Sequence, residues 1–171
     1  YFVIWTTTPW TIPANEAVSL NEALNYAEVQ TEKGKLIMLD KFVEPLLAKF
    51  GLENQGVLRV FKGRELEGIT YHHVVLDKEC PTLLGNHVTD EDGTGVVHTA
   101  GGHGMDDFLV CARYGLAPIN TVDYQGNMNE EAGKYCGMFF EDCSRAIIHD
   151  MNEKGCLLAV ENITHSYPHD D

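Results

Sequence analysis

The sequence has little positive charge. Its 171 residues include 12 Lys and Arg against 26 Asp and Glu, which gives a formal net charge of −14 at pH 7. A free-standing nucleic-acid-binding protein is expected to be basic, because contacts with phosphate groups supply most of the affinity. We therefore expect this chain to bind a polyanion weakly by itself, and any nucleic-acid partner to be held mostly elsewhere.

Long apolar runs and paired cysteine motifs are also absent from the sequence. No run approaches the ~20 apolar residues that a membrane span needs, so we predict no membrane association and a cytoplasmic location. The cysteines are five in number and form no Cys-x-x-Cys pair, which argues against a disulfide framework or a zinc knuckle and favours a reducing compartment. They are Cys80, Cys111, Cys136, Cys143 and Cys156.

What the sequence does contain is typical of a globular domain. Hydrophobic residues make up 44% of the chain, and the length suits one domain with a real core. We predict a single domain over residues 1–171. The chain opens on YFVIWTTT without a starting Met and stops at HSYPHDD, so we interpret both ends as cut and the chain as a piece of a larger protein.

Short strand-like runs dominate the pattern, with three helices. Pro9 and Pro13 argue against a regular helix or a central strand in TTTPWTIPAN, which is predicted to be an extended, kinked loop. The expected fold is α+β and mostly β, with a closed or strongly curved, barrel-like sheet and about three peripheral helices. The predicted strands lie in 1–5, 25–39 (a hairpin), 56–75, 96–97 and 156–168, and the helices in 40–50, 106–115 and 137–155.

The stretch GTGVVHTAGGHGMDDF at 93–108 is the most informative part of the chain. It predicts a strand, a glycine-rich turn and a helix, and glycines let the backbone approach a ligand closely. Asp106 and Asp107 fall in the first helical turn, where free N–H groups favour a carboxylate. An Asp at such a position is more often a cap than a catalyst, but two adjacent Asp allow one to cap while the other faces the turn.

The residues alone leave three chemistries open. The first is metal-free hydrolysis, with Asp107 holding a cationic amine while threonine hydroxyls and backbone N–H groups hold a carbonyl and a water. The second is a metal site, because histidines and carboxylates are of ligand type, although their spacing matches no usual zinc-hydrolase run. The third is a Cys111 nucleophile, which no nucleophile-elbow sequence supports. The potential metal ligands are His98, His103, Asp106 and Asp107.

Three histidines receive no catalytic assignment. His72 and His73 are predicted to be a strand pair with one ring inside and one outside, and a metal role for them lacks a third ligand. His87 lies at a predicted strand end and is given no role.

Three blocks together resemble the editing (CP1) domain of bacterial-type isoleucyl-tRNA synthetase, a class I synthetase. They are TTTPWTIPAN at 6–15, GTGVVHTAGGHGMDDF at 93–108 and HSYPH at 165–169. Their order and spacing agree over essentially the whole chain, and Thr8 favours the isoleucyl over the valyl enzymes. The resemblance implies hydrolysis of valine wrongly attached to tRNA(Ile). A missing methylene changes binding by only about 1–3 kcal/mol, a limit for which this very enzyme is the standard example, so a second, smaller sieve is needed.

The resemblance also implies roles for individual residues. Asp107 holds the α-amino group through a charge-assisted hydrogen bond, and the ring of His98 limits the side-chain pocket so that isoleucine is excluded. Water attacks the ester directly, with catalysis from orientation and electrostatics, and a terminal tRNA hydroxyl helps to activate it. Thr6, Thr7 and Thr8 line the site and are, with Asp107, the predicted catalytic residues. The predicted substrate-binding residues besides His98 and Asp107 are Trp10, a wall residue, Asn15, which also orders the loop, Gly102 and His103.

The implied partners are the 3′ CCA end of tRNA(Ile) carrying valine and the rest of the synthetase. No cofactor or metal is expected for this domain, since ATP and magnesium belong to the absent catalytic domain, and the isolated domain is expected to be monomeric. Two alternatives remain, a non-catalytic insert that positions tRNA and a metal-dependent hydrolase. One residue departs from the family pattern, because Gly101 stands where proline is usual.

Overall fold

The computed structural model describes residues 1–91 and 93–158. The predicted final strand and the HSYPH block therefore lie outside the described residues, apart from the first positions of that strand. The described strands are β1 (Ala17–Leu20), β2 (Asn25–Thr31), β3 (Gly34–Leu39), β4 (Val57–Lys62), β5 (Thr70–His72), β6 (Glu79–Leu84) and β7 (Val97–Thr99). The α-helices are α1 (Val43–Phe50), α2 (Met105–Arg113) and α3 (Phe140–Glu153). Short 3-10 helices span Pro9–Ala14, Asp40–Phe42, Gly63–Leu66 and Glu130–Tyr135.

A four-stranded sheet with the order β5-β6-β1-β7 forms the centre of the molecule. β1 runs parallel to β6 and antiparallel to β7, which places Val18 opposite His98. All four residues of β1 are buried. Neither β1 nor β6 was predicted. For β1 the reason is that a short strand buried on both faces has no polar–apolar alternation to reveal it.

The predicted hairpin is confirmed as part of a second sheet with the order β3-β2-β4. Its turn ends at Gly34, whose φ of 103° suits glycine. The buried face of the hairpin packs on α1, whose start at Val43 puts Pro45 in the first helical turn, where proline is tolerated. This core contains Val3, Ala27, Val29, Leu36, Met38, Val43 and Leu47.

The helix predicted over 137–155 is confirmed as α3. It begins later, at Phe140, because Phe139 is extended and bridges to Asn127. Cys143 and Ile147 on its buried face pack against the 3-10 helix Pro9–Ala14 through Ile12. This contact fixes the segment that follows the threonine run.

The predicted extended loop over residues 6–15 is wrong for Pro9–Ala14, which forms a 3-10 helix. Its two capping bonds run from Thr11 N to Thr8 O and from Asn15 N to Ile12 O, each at 2.9 Å. Neither donor is a proline, so Pro9 and Pro13 do not prevent this short helix from forming.

The α+β class and the three α-helices are confirmed within the described residues. A closed barrel is not found there, and the strands form two separate sheets of four and three strands. Among the residues that the structure describes, no helix has the length and apolar character to cross a membrane.

Candidate functional site

A cavity of about 370 Å³ opens between residues 5–11, β7 and the start of α2. It brings together five residues predicted from the sequence, including the two that matter most to the hydrolysis hypothesis, His98 and Asp107. Its lining consists of Trp5, Thr6, Thr8, Thr11, His87, Thr89, Thr94, Gly95, Val96, Val97, His98, Ala100, His103 and Asp107.

His98 is held through both of its ring nitrogens. Nδ1 lies 2.7 Å from Nδ2 of Asn15, and Nε2 lies 3.0 Å from Oγ1 of Thr11. Burial, followed by the neighbouring His103, lowers the pKa of His98 to about 4. The ring is therefore neutral at pH 7, and its nitrogens are used by the protein rather than offered to a ligand.

The threonine run divides into two kinds of residue. Thr6 and Thr8 line the cavity, and Oγ1 of Thr6 accepts a hydrogen bond of 3.0 Å from the backbone N of Thr8. The hydroxyl of Thr8 lies 3.3 Å from that of Thr6 and 3.4 Å from that of Thr11. Thr7 is exposed and lies outside the cavity lining, so the structure places it apart from the other two and its catalytic role stays a prediction.

Asp107 lies in the first turn of α2, as predicted. Its Oδ2 accepts a hydrogen bond of 3.0 Å from the backbone N of Ala100. Burial raises the pKa of Asp107, and the N–H of Ala100 and the nearby His87 partly offset the rise. The result is a partly desolvated carboxylate at the cavity wall, which is suited to a cationic group.

The glycine turn between β7 and α2 approaches other backbone closely. A Cβ on Gly102 would lie 2.4 Å from the carbonyl oxygen of Ile119, so no larger residue fits without movement. Gly102 itself does not line the cavity, whereas His103 does. The backbone N of His103 donates to Ala100 O at 3.0 Å, which closes the turn.

Trp10 and Asn15 support the cavity without lining it. Trp10 packs edge-to-face on His103, with ring centroids 5.4 Å apart, and on Phe140 at 5.5 Å. Asn15 is 6% exposed and lies behind His98. Their direct contact with a substrate stays a prediction.

Sequence reasoning missed His87 and Thr11, which both line the cavity. The His87 ring packs so closely on Gly85 that a Cβ there would lie 2.6 Å from Cε1. Its Nε2 is buried and has no hydrogen-bond partner among the described residues. Thr11 lies in the block TTTPWTIPAN but was not singled out within it, and no sequence motif marks His87.

Neither a metal site nor a cysteine nucleophile is supported by the described residues. Within the described ranges, no group of three or more His, Cys, Asp or Glu is arranged to hold a metal ion. Cys111 is buried, and burial raises the pKa of its thiol to about 11, which disfavours a thiolate nucleophile. All five cysteines are free thiols.

The chain is similar to known proteins in sequence and in fold. No family model matches the chain. It is 48% identical over 168 residues to an isoleucine–tRNA ligase of Acholeplasma laidlawii, covering 98% of this chain and 19% of that protein. It is 43% identical over 168 residues to the Bacillus subtilis isoleucine–tRNA ligase, covering 98% of this chain and 18% of that protein.

The chain is a homologue of one segment of the isoleucine–tRNA ligases. It spans about a fifth of the length of these relatives, and the resemblance predicted from its sequence blocks is confirmed. The fold is similar to the crystal structure of GlLeuRS-CP1, with a TM-score of 0.74, 12% identity, and coverage of 98% of this chain and 85% of that one. It is also similar to the P. knowlesi cytosolic leucyl-tRNA synthetase editing domain, with a TM-score of 0.68, 12% identity, and coverage of 90% and 82%.

Proposed function

We propose that this isoleucine–tRNA ligase segment is an editing domain that hydrolyses the ester of valine misattached to tRNA(Ile). The observation that carries the proposal is that Asp107 and His98 line one small cavity. An aminoacyl group inside it touches a carboxylate and a neutral imidazole at the same time. Homology to isoleucine–tRNA ligases and an editing-domain fold support the same proposal.

Asp107 anchors the ammonium group of the substrate. Its Oδ2 accepts from Ala100, and no hydrogen bond to Oδ1 is found among the described residues. An ammonium on this carboxylate gains a charge-assisted hydrogen bond, which selects aminoacyl esters over plain esters. The partial burial of Asp107 strengthens that interaction, because less water competes for the charge.

His98 forms the wall that the amino-acid side chain meets. Because Asn15 and Thr11 occupy its nitrogens, the ring presents carbon to the cavity and contacts an aliphatic branch by packing. A pocket bounded by this wall has room for the side chain of valine but not for the additional methylene of isoleucine. An editing site needs this distinction between side-chain sizes.

Hydrolysis proceeds by direct attack of a water oxygen on the ester carbonyl carbon. The hydroxyls of Thr6 and Thr8 orient the water and the carbonyl, so catalysis comes from orientation and electrostatics. The acyl C–O bond breaks, and the ribose oxygen of the tRNA leaves as a hydroxyl after taking a proton from the attacking water. The products are free valine and uncharged tRNA.

Replacing Asp107 tests the proposal in the full-length synthetase that contains this chain. Asp107→Ala should lose hydrolysis of Val-tRNA(Ile) and retain aminoacylation with isoleucine. Asp106→Ala is the matched control, because Asp106 is exposed in the same helical turn and does not line the cavity. Unchanged Val-tRNA(Ile) hydrolysis by Asp107→Ala would overturn the proposal. The non-catalytic alternative instead predicts that the unaltered enzyme and both variants release no valine.

A further inference from the structure

A tyrosine outside the cavity lining contacts the hydrogen-bonded residues behind His98. Tyr71 lies in β5, and its ring packs edge-to-face on Phe2 with centroids 6.2 Å apart. Its hydroxyl donates a hydrogen bond to Oδ1 of Asn15. Burial raises the pKa of Tyr71 far above its ordinary value, so the phenol keeps its proton and remains a donor.

Asn15 has only one orientation that satisfies its neighbours. Its Nδ2 donates to the carbonyl oxygen of Ala17 at 2.9 Å, and the same nitrogen lies 2.7 Å from Nδ1 of His98. Turning the amide over would set Oδ1 against the Ala17 carbonyl, acceptor against acceptor, and would remove the bond that Tyr71 donates to Oδ1.

The orientation of Asn15 determines where the His98 proton lies. A carboxamide nitrogen only donates, so Nδ1 of His98 is the acceptor and the ring proton is on Nε2. That N–H then donates to Oγ1 of Thr11 at 3.0 Å, and the Thr11 hydroxyl donates to the Thr8 carbonyl oxygen at 2.8 Å. Every bond from Tyr71 to Thr8 therefore has a defined donor and acceptor.

We propose that Tyr71 is a positioning residue that, through Asn15, holds His98 in the Nε2–H tautomer with only carbon atoms facing the cavity. The part that concerns discrimination between amino acids rests on the proposed editing function, whereas the tautomer does not. A ring released from this chain of bonds turns and exposes a nitrogen to the cavity. The pocket wall is then partly polar, and packing against carbon atoms no longer decides by itself which aliphatic side chain fits.

The first experiment compares the unaltered chain with Tyr71→Phe by long-range proton–nitrogen NMR of the His98 ring. Tyr135→Phe is the matched control, because it removes another phenol, bonded at 2.6 Å to Asp150 in a different core. We expect one neutral tautomer protonated on Nε2 in the unaltered chain and the control, and a mixture of tautomers in Tyr71→Phe. A ring that stays wholly in the Nε2–H tautomer in Tyr71→Phe would overturn the proposal, as would a proton on Nδ1 in the unaltered chain.

A second variant gives the answer if Tyr71→Phe does not fold. Asn15→Asp has nearly the same shape but presents only acceptors to Nδ1, so it should move the ring proton to Nδ1. Retention of the Nε2–H tautomer in a folded Asn15→Asp chain would contradict the directional bonding on which the proposal depends.

The consequence for specificity is measured on aminoacyl-tRNA in the full-length synthetase. Tyr71→Phe should increase hydrolysis of Ile-tRNA(Ile) relative to Val-tRNA(Ile) by about tenfold, the lower end of what one methylene in a pocket provides. Tyr135→Phe should leave the ratio unchanged. An unchanged ratio in Tyr71→Phe overturns the specificity claim, whereas failure of the unaltered enzyme to hydrolyse either ester overturns the proposed function and leaves the tautomer result standing.

Discussion

Oε1 of Glu16 accepts a hydrogen bond of 3.1 Å from the backbone N–H of Gly101, and Glu16 is buried, with only 8% of its surface exposed. Burial raises the pKa of Glu16, and the N–H groups of Gly101 and Ile119 partly oppose the rise. Glu16, which directly precedes β1, thus holds the glycine turn against the segment that contains Ile119. The geometry of the cavity depends on this turn, because Ala100 and His103 both line the cavity.

Glu16→Ala should destabilise the fold by about 1–3 kcal/mol, because it leaves two backbone donors without their carboxylate partner. Urea unfolding followed by circular dichroism measures the change. Glu22→Ala is the matched control, since Glu22 is exposed, and it should change the free energy of unfolding by less than about 0.5 kcal/mol. Equal unfolding midpoints for the two variants would contradict this role of Glu16.

Gly101→Pro tests the position at which the resemblance leads us to expect proline. Proline at a compatible angle stabilises a protein through its unfolded state by about 0.4–1 kcal/mol. Here we expect the opposite sign, because proline has no N–H to donate to Glu16. Thermal unfolding should show a lower Tm than that of the unaltered chain, and a higher Tm would show that the Gly101 bond contributes little.

Two buried histidines should make the fold sensitive to acid. Burial lowers the pKa of His73 and of His98 from 6.5 to about 4. Below pH 6.5 the unfolded chain takes up protons that the folded chain does not, so stability should fall as the pH falls from about 6.5 to about 4 and be unaffected by these groups above that range. Urea midpoints across this range measure the effect. His98→Gln should reduce the slope, whereas His149→Ala, at an exposed site, should not.

His87 should influence the pH dependence of hydrolysis through Asp107. His87 lowers the pKa of Asp107, against the larger effect of burial, which raises it. If the proposed function holds, removing the imidazole in His87→Ala should therefore shift the acid limb of Val-tRNA(Ile) hydrolysis to higher pH, because the proposal requires an ionised Asp107 to hold the substrate ammonium. His72→Ala, at an exposed site outside the cavity, should leave the profile in place. An acid limb that does not move in His87→Ala would show that His87 does not influence the pKa of Asp107.

Elements with a strong local pattern could be predicted from the sequence. The hairpin ending at Leu39, the start of α2 and the buried face of α3 follow from periodicity and from helix-terminal residues. β1 could not be found in this way, because all four of its residues are buried between β6 and β7, which are distant in the chain. The 3-10 helix Pro9–Ala14 was missed because two prolines suggested an extended segment. The backbone N–H groups of Thr11 and Asn15 nevertheless donate the hydrogen bonds at the two ends of this helix.

The site was predictable where its residues lie in a recognisable local segment, as Thr6 and Thr8 do in the threonine run. His98, His103 and Asp107 lie within one glycine-rich stretch, and all three line the cavity. His87 has no local motif and Thr11 was not singled out in its block, and only the folded chain brings them to His98 and Asp107. The exposure of Thr7 could not be predicted either, because a run of three threonines does not reveal which hydroxyls point inward.

The hydrogen bonds that hold His98 join residues 83 and 87 positions apart in the sequence. Closing a loop of that length costs conformational entropy before any contact is gained, so contacts of this kind slow folding and form after the local hairpin and helices. The cavity should therefore be among the last parts of the chain to assemble. A ribosome-bound chain that has emerged only as far as β6 already contains Thr11 and Asn15 but does not yet contain His98, to which they bond.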